Sequence, residues 1–361
     1  MVIFGPWSPP YGGVAIHVQA LTQTLRAQGF AVRALCYGEF TRTPQVTRIS
    51  PLREGWTRTL WRLFLSVSSR TLFHDHSGFL GYPDERLIRS LHAVIRFKQA
   101  RWILTLHDET LLERFPAWPE SVRALYCQWL QWPAHILCVG DRLQDFLIGL
   151  GVSREKLTSI SPLLPLREGP ASSLPSSVRT FLAAHAPLIT TIGTFDSNYD
   201  FLTVANAFAC IRQERPAAGL VLIDAGFTVD ISYRAAVIQL LKKLPGHSYM
   251  VLSRVPHDHV LQILRESAVL IRGVRRESFG LSRVEAILMG TPVVTTDAGE
   301  THYMTLYQCG NPEDLAQKVL VVLERKPDLA DAQAFFRKMG EETLTRILDV
   351  YERQSADRNR R

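Results

Sequence analysis

Two carboxylates, Glu277 and Glu285, stand at the ends of the stretch ESFGLSRVE, with Gly280 between them. An apolar run, AVLIRGV (268–274), precedes them, and AILMG followed by TPVVTTDAG comes after. That order reads as strand, corner, helix, strand. A helix start presents N–H groups and the positive end of the helix dipole, which together suit a phosphate. Gly280 lets the backbone approach a ligand closely. Phe279, Gly280, Leu281 and Ser282 would present backbone amides to the anion. Carboxylates beside such a site cannot bind the phosphate itself, but they suit sugar hydroxyls on either side of it. A local reading also exists: Ser282-x-x-Glu285 has the spacing of a capping box, and Glu277 alone could be a surface acid.

The elements that must hold this corner follow from the whole chain. With 361 residues, 46% hydrophobic and 21% charged, the composition excludes a disordered chain and is long enough for two domains. Lys and Arg number 41 against 34 Asp and Glu, a formal charge of +7 that favours nucleotides, phosphorylated substrates or an anionic membrane face. The charge would also suit nucleic acid, but no recognition motif supports that, so none is expected. Cys36, Cys127, Cys138, Cys210 and Cys309 form no Cys-x-x-Cys pair, which points to a reducing compartment rather than a disulfide framework. The opening MVIFGPWSPPYGG reads directly into a strand and a turn rather than a signal peptide, and no window has the ~20 apolar residues of a spanning helix. The expected location is the cytoplasm, with the inner face of the cell membrane as a peripheral option.

Short apolar strands alternate with helical patterns. In the first half, strands are predicted at MVIF, FAVRALCY, TLFHDH, RWILTLH and HILCV. In the second they are predicted at PLITTIG, AGLVLIDAG, SYMVLS, AVLIRGV and TPVVTT. Val14, Val18, Leu21 and Leu25 share one helical face that Gly29 ends. This pattern predicts an α/β fold of two doubly wound Rossmann-like domains facing a cleft. The expected boundaries are 1–162 for the N-terminal, acceptor-side domain, 163–177 for a Pro-rich linker and 178–330 for the nucleotide-sugar domain. A helical segment, 331–361, completes the chain and is a candidate to pack back on the first domain, with its last residues, SADRNRR, expected to fray.

The segment ESFGLSRVEAILMGTPVV resembles the E-x7-E region of the large, family 4-like group of retaining GT-B glycosyltransferases, and PPYGGVAIHVQALTQTLRAQGFAVRAL resembles that group's glycine loop and first βαβ unit. The order of elements agrees from Met1 to about Arg325. The resemblance implies transfer of a hexose, with retention, from a nucleoside-diphosphate sugar to a glycan or lipid-linked acceptor, in polysaccharide or lipopolysaccharide assembly. It implies no cofactor beyond the donor substrate and no metal. It places Glu277 near the donor sugar, Glu285 on the ribose, and Gly12 and Gly13 near the phosphates. His107, which ends a strand in the sequence T-L-H-D-E, takes the position of the family's histidine near the donor sugar. His74 and His76 end another strand and are acceptor-side candidates. His17 reads as a local contact, and none of these histidines has metal-ligand spacing along the chain.

One departure bears on activity. Where relatives carry an Arg after the Gly of the first second-domain strand and a Lys five residues on, this chain has Thr194 and Tyr199. Arg272, Arg275 and Arg276 are the nearest substitutes in sequence, of which Arg275 is selected. A nucleotide-sugar epimerase on this fold and a silent glycosyltransferase-like partner subunit are the alternatives. Finally, Trp56, Leu60, Leu63, Phe64 and Val67 fall on one face of a helix that also carries Arg58 and Arg62. That is the composition of an interfacial membrane helix, or of a helix packing its apolar face inward.

Overall fold

The computed structural model describes residues 1–8, 12–37, 46–48, 55–76, 85–166, 173–226 and 230–359. The centre of the Pro-rich stretch (167–172) and residues 9–11 of the glycine loop lie outside the described residues. Two compact units emerge. The first comprises Met1–Pro9, Gly13–Arg167 and Met339–Arg361; the second comprises Glu168–Lys338 with Pro10–Gly12.

The first unit is built on β1 (Val2–Pro6), β2 (Arg33–Tyr37), β3 (Val46–Arg48), β4 (Leu72–Asp75), β5 (Arg101–Leu106), β6 (His135–Val139) and β7 (Leu157–Ile160). They form one parallel sheet in the order β3-β2-β1-β4-β5-β6-β7. Parallel strands are covered on both faces, so both members of each alternating pair must be apolar. Phe4, Phe73, Trp102, Leu104 and Ile136 accordingly join one buried cluster, while their neighbours Ile3, Ile103 and Leu137 join another. Leu21 and Leu25, from the helix Gly13–Ala27, pack into the second cluster, and Gly29 ends that helix with φ 87°.

The second unit has β8 (Leu188–Gly193), β9 (Gly219–Asp224), β10 (Tyr249–Ser253), β11 (Val269–Arg272), β12 (Val293–Thr295) and β13 (Thr305–Leu306). They form a second parallel sheet in the order β10-β9-β8-β11-β12-β13. Its core gathers Phe201, Phe208, Leu220, Leu222, Ile271, Val294 and Leu315.

Three strands, β3, β7 and β13, have no clear apolar signal: LTSI and TL are short and half polar. At the other end of the chain a single helix runs from Ala330 to Asn359, through most of the segment expected to fray. It starts in the second unit and ends in the first, where Leu344, Ile347, Val350 and Tyr351 enter the core beside Ile3 and Ile160. The helix Trp56–Ser66 buries Leu63, with Val67 just beyond it, in the first core, so this part of its predicted apolar face points inward. Leu60, from the predicted apolar face, is exposed at 37%, and Trp61 and Leu65 are more so, at 61% and 62%. Among the described residues, no helix is long and apolar enough to cross a membrane.

Candidate functional site

In a parallel sheet, ligands meet the loops that follow the carboxyl ends of the strands. In the second unit that end gathers the segments after β8, β10, β11 and β12. The corner after β11 turns through Gly280, which is left-handed at φ 82° and ψ 60° and caps the helix Leu281–Leu288. Glycine is needed here twice over: the backbone sits where other residues are strained, and a Cβ would collide with the Arg283 guanidinium.

Because the cap is Gly280, Ser282 lies inside the first turn and the capping box does not form. Glu285 turns away from the helix start instead. It is 3% exposed, and its Oε1 accepts a 2.7 Å hydrogen bond from His257 Nε2, on the first turn of the helix after β10. Burial depresses the His257 pKa, but the charge and hydrogen bond of Glu285, with Asp258, outweigh it and leave the pKa raised. The Ser282 hydroxyl is buried without a hydrogen-bond partner.

Glu277, on the other side of the corner, pairs with Arg272. Arg272 is the last residue of β11. It also donates to the Ile192 carbonyl and lies over the Tyr199 ring, 4.8 Å from its centroid. Burial opposes its charge, but Glu277 more than compensates and holds the pKa above the usual arginine value. Arg275 sits elsewhere: it is exposed, donates to the Ser197 carbonyl and fastens the loop before it. The cation beside Glu277 is therefore Arg272. Thr194, at the position of the family's arginine, spends its hydroxyl on Asp196 Oδ2 at 2.7 Å. Tyr199 packs where a Cβ on Gly193 would be.

A second arginine underlies the corner. Arg283 is fully buried, donating to Thr295 Oγ1 at 3.0 Å, the Ala298 carbonyl at 2.5 Å and the Phe279 carbonyl at 3.0 Å. Burial and the nearby Arg272 lower its pKa to about 10, against the pull of Glu277 and Glu300. Arg283 thus ties the Phe279 corner to the loop after β12. The backbone N–H of Glu300 adds a bond to the Phe279 carbonyl at 3.0 Å.

In the first unit the histidines separate. His74 is enclosed, with its ring nitrogens on Tyr351 Oη and Thr105 Oγ1, both at 2.6 Å, so it does not reach a substrate. His76 and His107 follow β4 and β5, with His76 Nδ1 and His107 Nε2 3.0 Å apart. His17 joins them, its ring centroid 5.0 Å from that of His107. Asp108 does not orient His107; it pairs with Arg114 and accepts from the Thr110 amide. Gly12 and Gly13 begin the helix Gly13–Ala27, and nothing crowds the position a Gly13 side chain would take. A cavity of about 540 Å³ opens among Met1, Val32, Arg33, Val67, Arg70 and Thr71. It lies at the amino ends of β1 and β2, the wrong end of a parallel sheet for substrate.

Sequence reasoning missed His257, Arg272 as the paired cation, and Arg283. His257 opens a helix just after a strand, the same signal that exposes His107. Arg283 opens the buried run Arg283–Ile287 in LSRVEAIL, and a charge placed directly against core residues marks a buried partner set.

Residues 186–325 match the model of the family described as Glycosyl transferases group 1. A comparison with curated proteins finds no match to the sequence. The chain superposes on HepE from Anabaena, solved with UDP-glucose, with a TM-score of 0.69 at 16% identity, over 97% of this chain and 99% of that one. The pneumococcal O-GlcNAc transferase GtfA, solved with UDP and GlcNAc, gives 0.66 at 10% identity over 99% of each chain. Sucrose-phosphate synthase from Thermosynechococcus elongatus gives 0.61 at 16%, over 99% of this chain and 97% of that one. The fold is the GT-B architecture of these structures, and the match to Glycosyl transferases group 1 lies within the second unit.

Proposed function

We propose that this protein transfers a hexose from a nucleoside-diphosphate sugar, with retention, to a glycan or lipid-linked acceptor. The observation that carries the reading is the pair of carboxylates held on either side of the helix start at Leu281, Glu277 by Arg272 and Glu285 by His257. In this reading Glu285 accepts from ribose hydroxyls and Glu277 from hydroxyls of the hexose. The amides of Leu281 and Ser282 and the unpartnered Ser282 hydroxyl face the diphosphate. Arg272 supplies the cation that Thr194 and Tyr199 do not, so the charge on the leaving diphosphate is met without a divalent ion. HepE and GtfA, both solved with UDP, favour UDP as the carrier. In the first unit, His107 serves the transfer step. The exposed Trp61 and Leu65, with Arg58 on the same helical face, suit peripheral contact with an anionic membrane on the cytoplasmic side.

Thermal unfolding against UDP, GDP, ADP, dTDP and their sugar conjugates tests the reading. A ligand at a hundred times its dissociation constant stabilises by ~2.7 kcal/mol. The expected result is a shift with UDP and UDP-sugars that Glu285→Ala removes. No shift with any nucleotide overturns the proposal.

A further inference from the structure

The sequence gives His17, His76 and His107 no metal-ligand spacing, yet three elements bring them together: the helix Gly13–Ala27 and the segments after β4 and β5. One ring nitrogen of each lies within 4.8 Å of the other two. The ring centroids are 5.0 Å apart for His17 and His107, 5.4 Å for His17 and His76, and 5.3 Å for His76 and His107. Three imidazoles bound tetrahedrally to one zinc ion, at a Zn–N distance of ~2.0–2.1 Å, place their centroids ~5.2 Å apart and their ligand nitrogens ~3.3 Å apart. The ring centroids have the spacing of a liganded trio, and His76 Nδ1 and His107 Nε2 stand 3.0 Å apart.

The hydrogen bonding of His17 is an independent sign. Its Nδ1 can only donate to the Pro162 carbonyl, at 2.8 Å, which leaves Nε2 with a bare lone pair. That Nε2 is buried and has no hydrogen-bond partner, and the residue is 1% exposed. A ring N–H on a backbone carbonyl, with the opposite nitrogen unprotonated, is the arrangement of a metal-bound histidine. The surroundings keep the cluster in place. Gly5 makes room, since a Cβ there would press on Val18 and His76 at 3.0 and 3.1 Å. His74, locked between Tyr351 and Thr105, packs against His76 with centroids 4.1 Å apart.

We propose that His17, His76 and His107 form a binding site for a divalent transition ion, zinc by its preference for imidazole, with the fourth position open to an oxygen ligand. Three neutral imidazoles without thiolate or carboxylate suit zinc rather than magnesium or calcium. His107 is only partly buried, so the open position has an approach. The inference concerns metal affinity and stands whether or not the donor is a nucleotide sugar.

The test is metal uptake by the full chain after treatment with a chelator. Cobalt(II) is titrated as a probe and then displaced by zinc. One equivalent, with the intense visible bands of a tetrahedral ion, is expected. His17→Gln and His76→Gln should each weaken uptake by more than tenfold, while His185→Gln, in the second unit, should not. An octahedral spectrum, or uptake that His17→Gln and His76→Gln leave unchanged, overturns the proposal. If the variants do not fold, zinc X-ray absorption on the wild-type chain decides: three imidazole ligands support the site and fewer overturn it.

Discussion

His257 Nε2 donates to Glu285 Oε1 at 2.7 Å, joining the helix after β10 to the helix after β11 at the end of the sheet where a donor would bind. The raised His257 pKa means that the folded protein holds this proton more tightly than the unfolded chain. The stabilisation is therefore complete below the unfolded pKa of ~6.5 and is lost as pH rises through the higher folded value. His257→Gln should lower the melting temperature most at about pH 6 and least above about pH 9. An equal loss at every pH would show that His257 is not charged in the pair.

Arg272 and Arg275 separate two readings of the missing cations. Arg272→Ala removes a charge-assisted contact worth ~1.5–3 kcal/mol, which is ~10–100-fold in UDP-sugar affinity. Arg275→Ala changes an exposed loop contact and should stay within about 0.5 kcal/mol. Calorimetric titration of both variants with UDP-glucose measures the difference. Equal losses would return Arg275 to the site.

Arg283→Met should destabilise by about 2 kcal/mol, because it strands the Ala298 carbonyl in a dry setting and leaves the Phe279 carbonyl only its bond from the Glu300 N–H. Gly280→Ala should weaken donor binding through the same joint, since its Cβ displaces the guanidinium and its φ disfavours any side chain. Differential scanning calorimetry reads the first effect and UDP-glucose titration the second.

His107→Ala should leave the thermal shift with UDP intact and cut transfer ~10²–10⁴-fold, the usual reach of a positioned acid–base or ligand group. Sugar-transfer assays beside nucleotide titration make the distinction. A loss of UDP affinity would instead place His107 in donor binding.

Trp61→Ser combined with Leu65→Ser should abolish sedimentation with phosphatidylserine vesicles and leave the melting temperature nearly unchanged, because both side chains are already in water. Unchanged sedimentation would remove this helix from any membrane contact.

Much of this was legible in the sequence, and the limits have physical causes. Parallel strands such as HILCV announce themselves because both faces are buried, whereas LTSI, with a polar centre, does not. The E-x7-E spacing exposes Glu277 and Glu285 because the corner and its helix are contiguous in the chain. Their partners are not contiguous. His257 reaches Glu285 from another helix, and Arg272 is chosen over Arg275 by which way a strand end points. The histidine cluster is harder still, since its members lie far apart along the chain and only the β1-β4-β5 order makes them neighbours.

The helix Ala330–Asn359 has a consequence for synthesis. The second unit occupies an unbroken stretch up to Lys338 apart from Pro10–Gly12, so nearly all of its core is available before translation ends. The first unit, although begun earlier, lacks Ile347, Val350 and Tyr351 until the helix Ala330–Asn359 has been made. Nascent domains ordinarily mature in the order they are made. Here the order is reversed: the first unit waits until the second has been made, with His74 lacking its Tyr351 partner until then. A chain cut just before Ile347 would hold a complete second unit and an incomplete first.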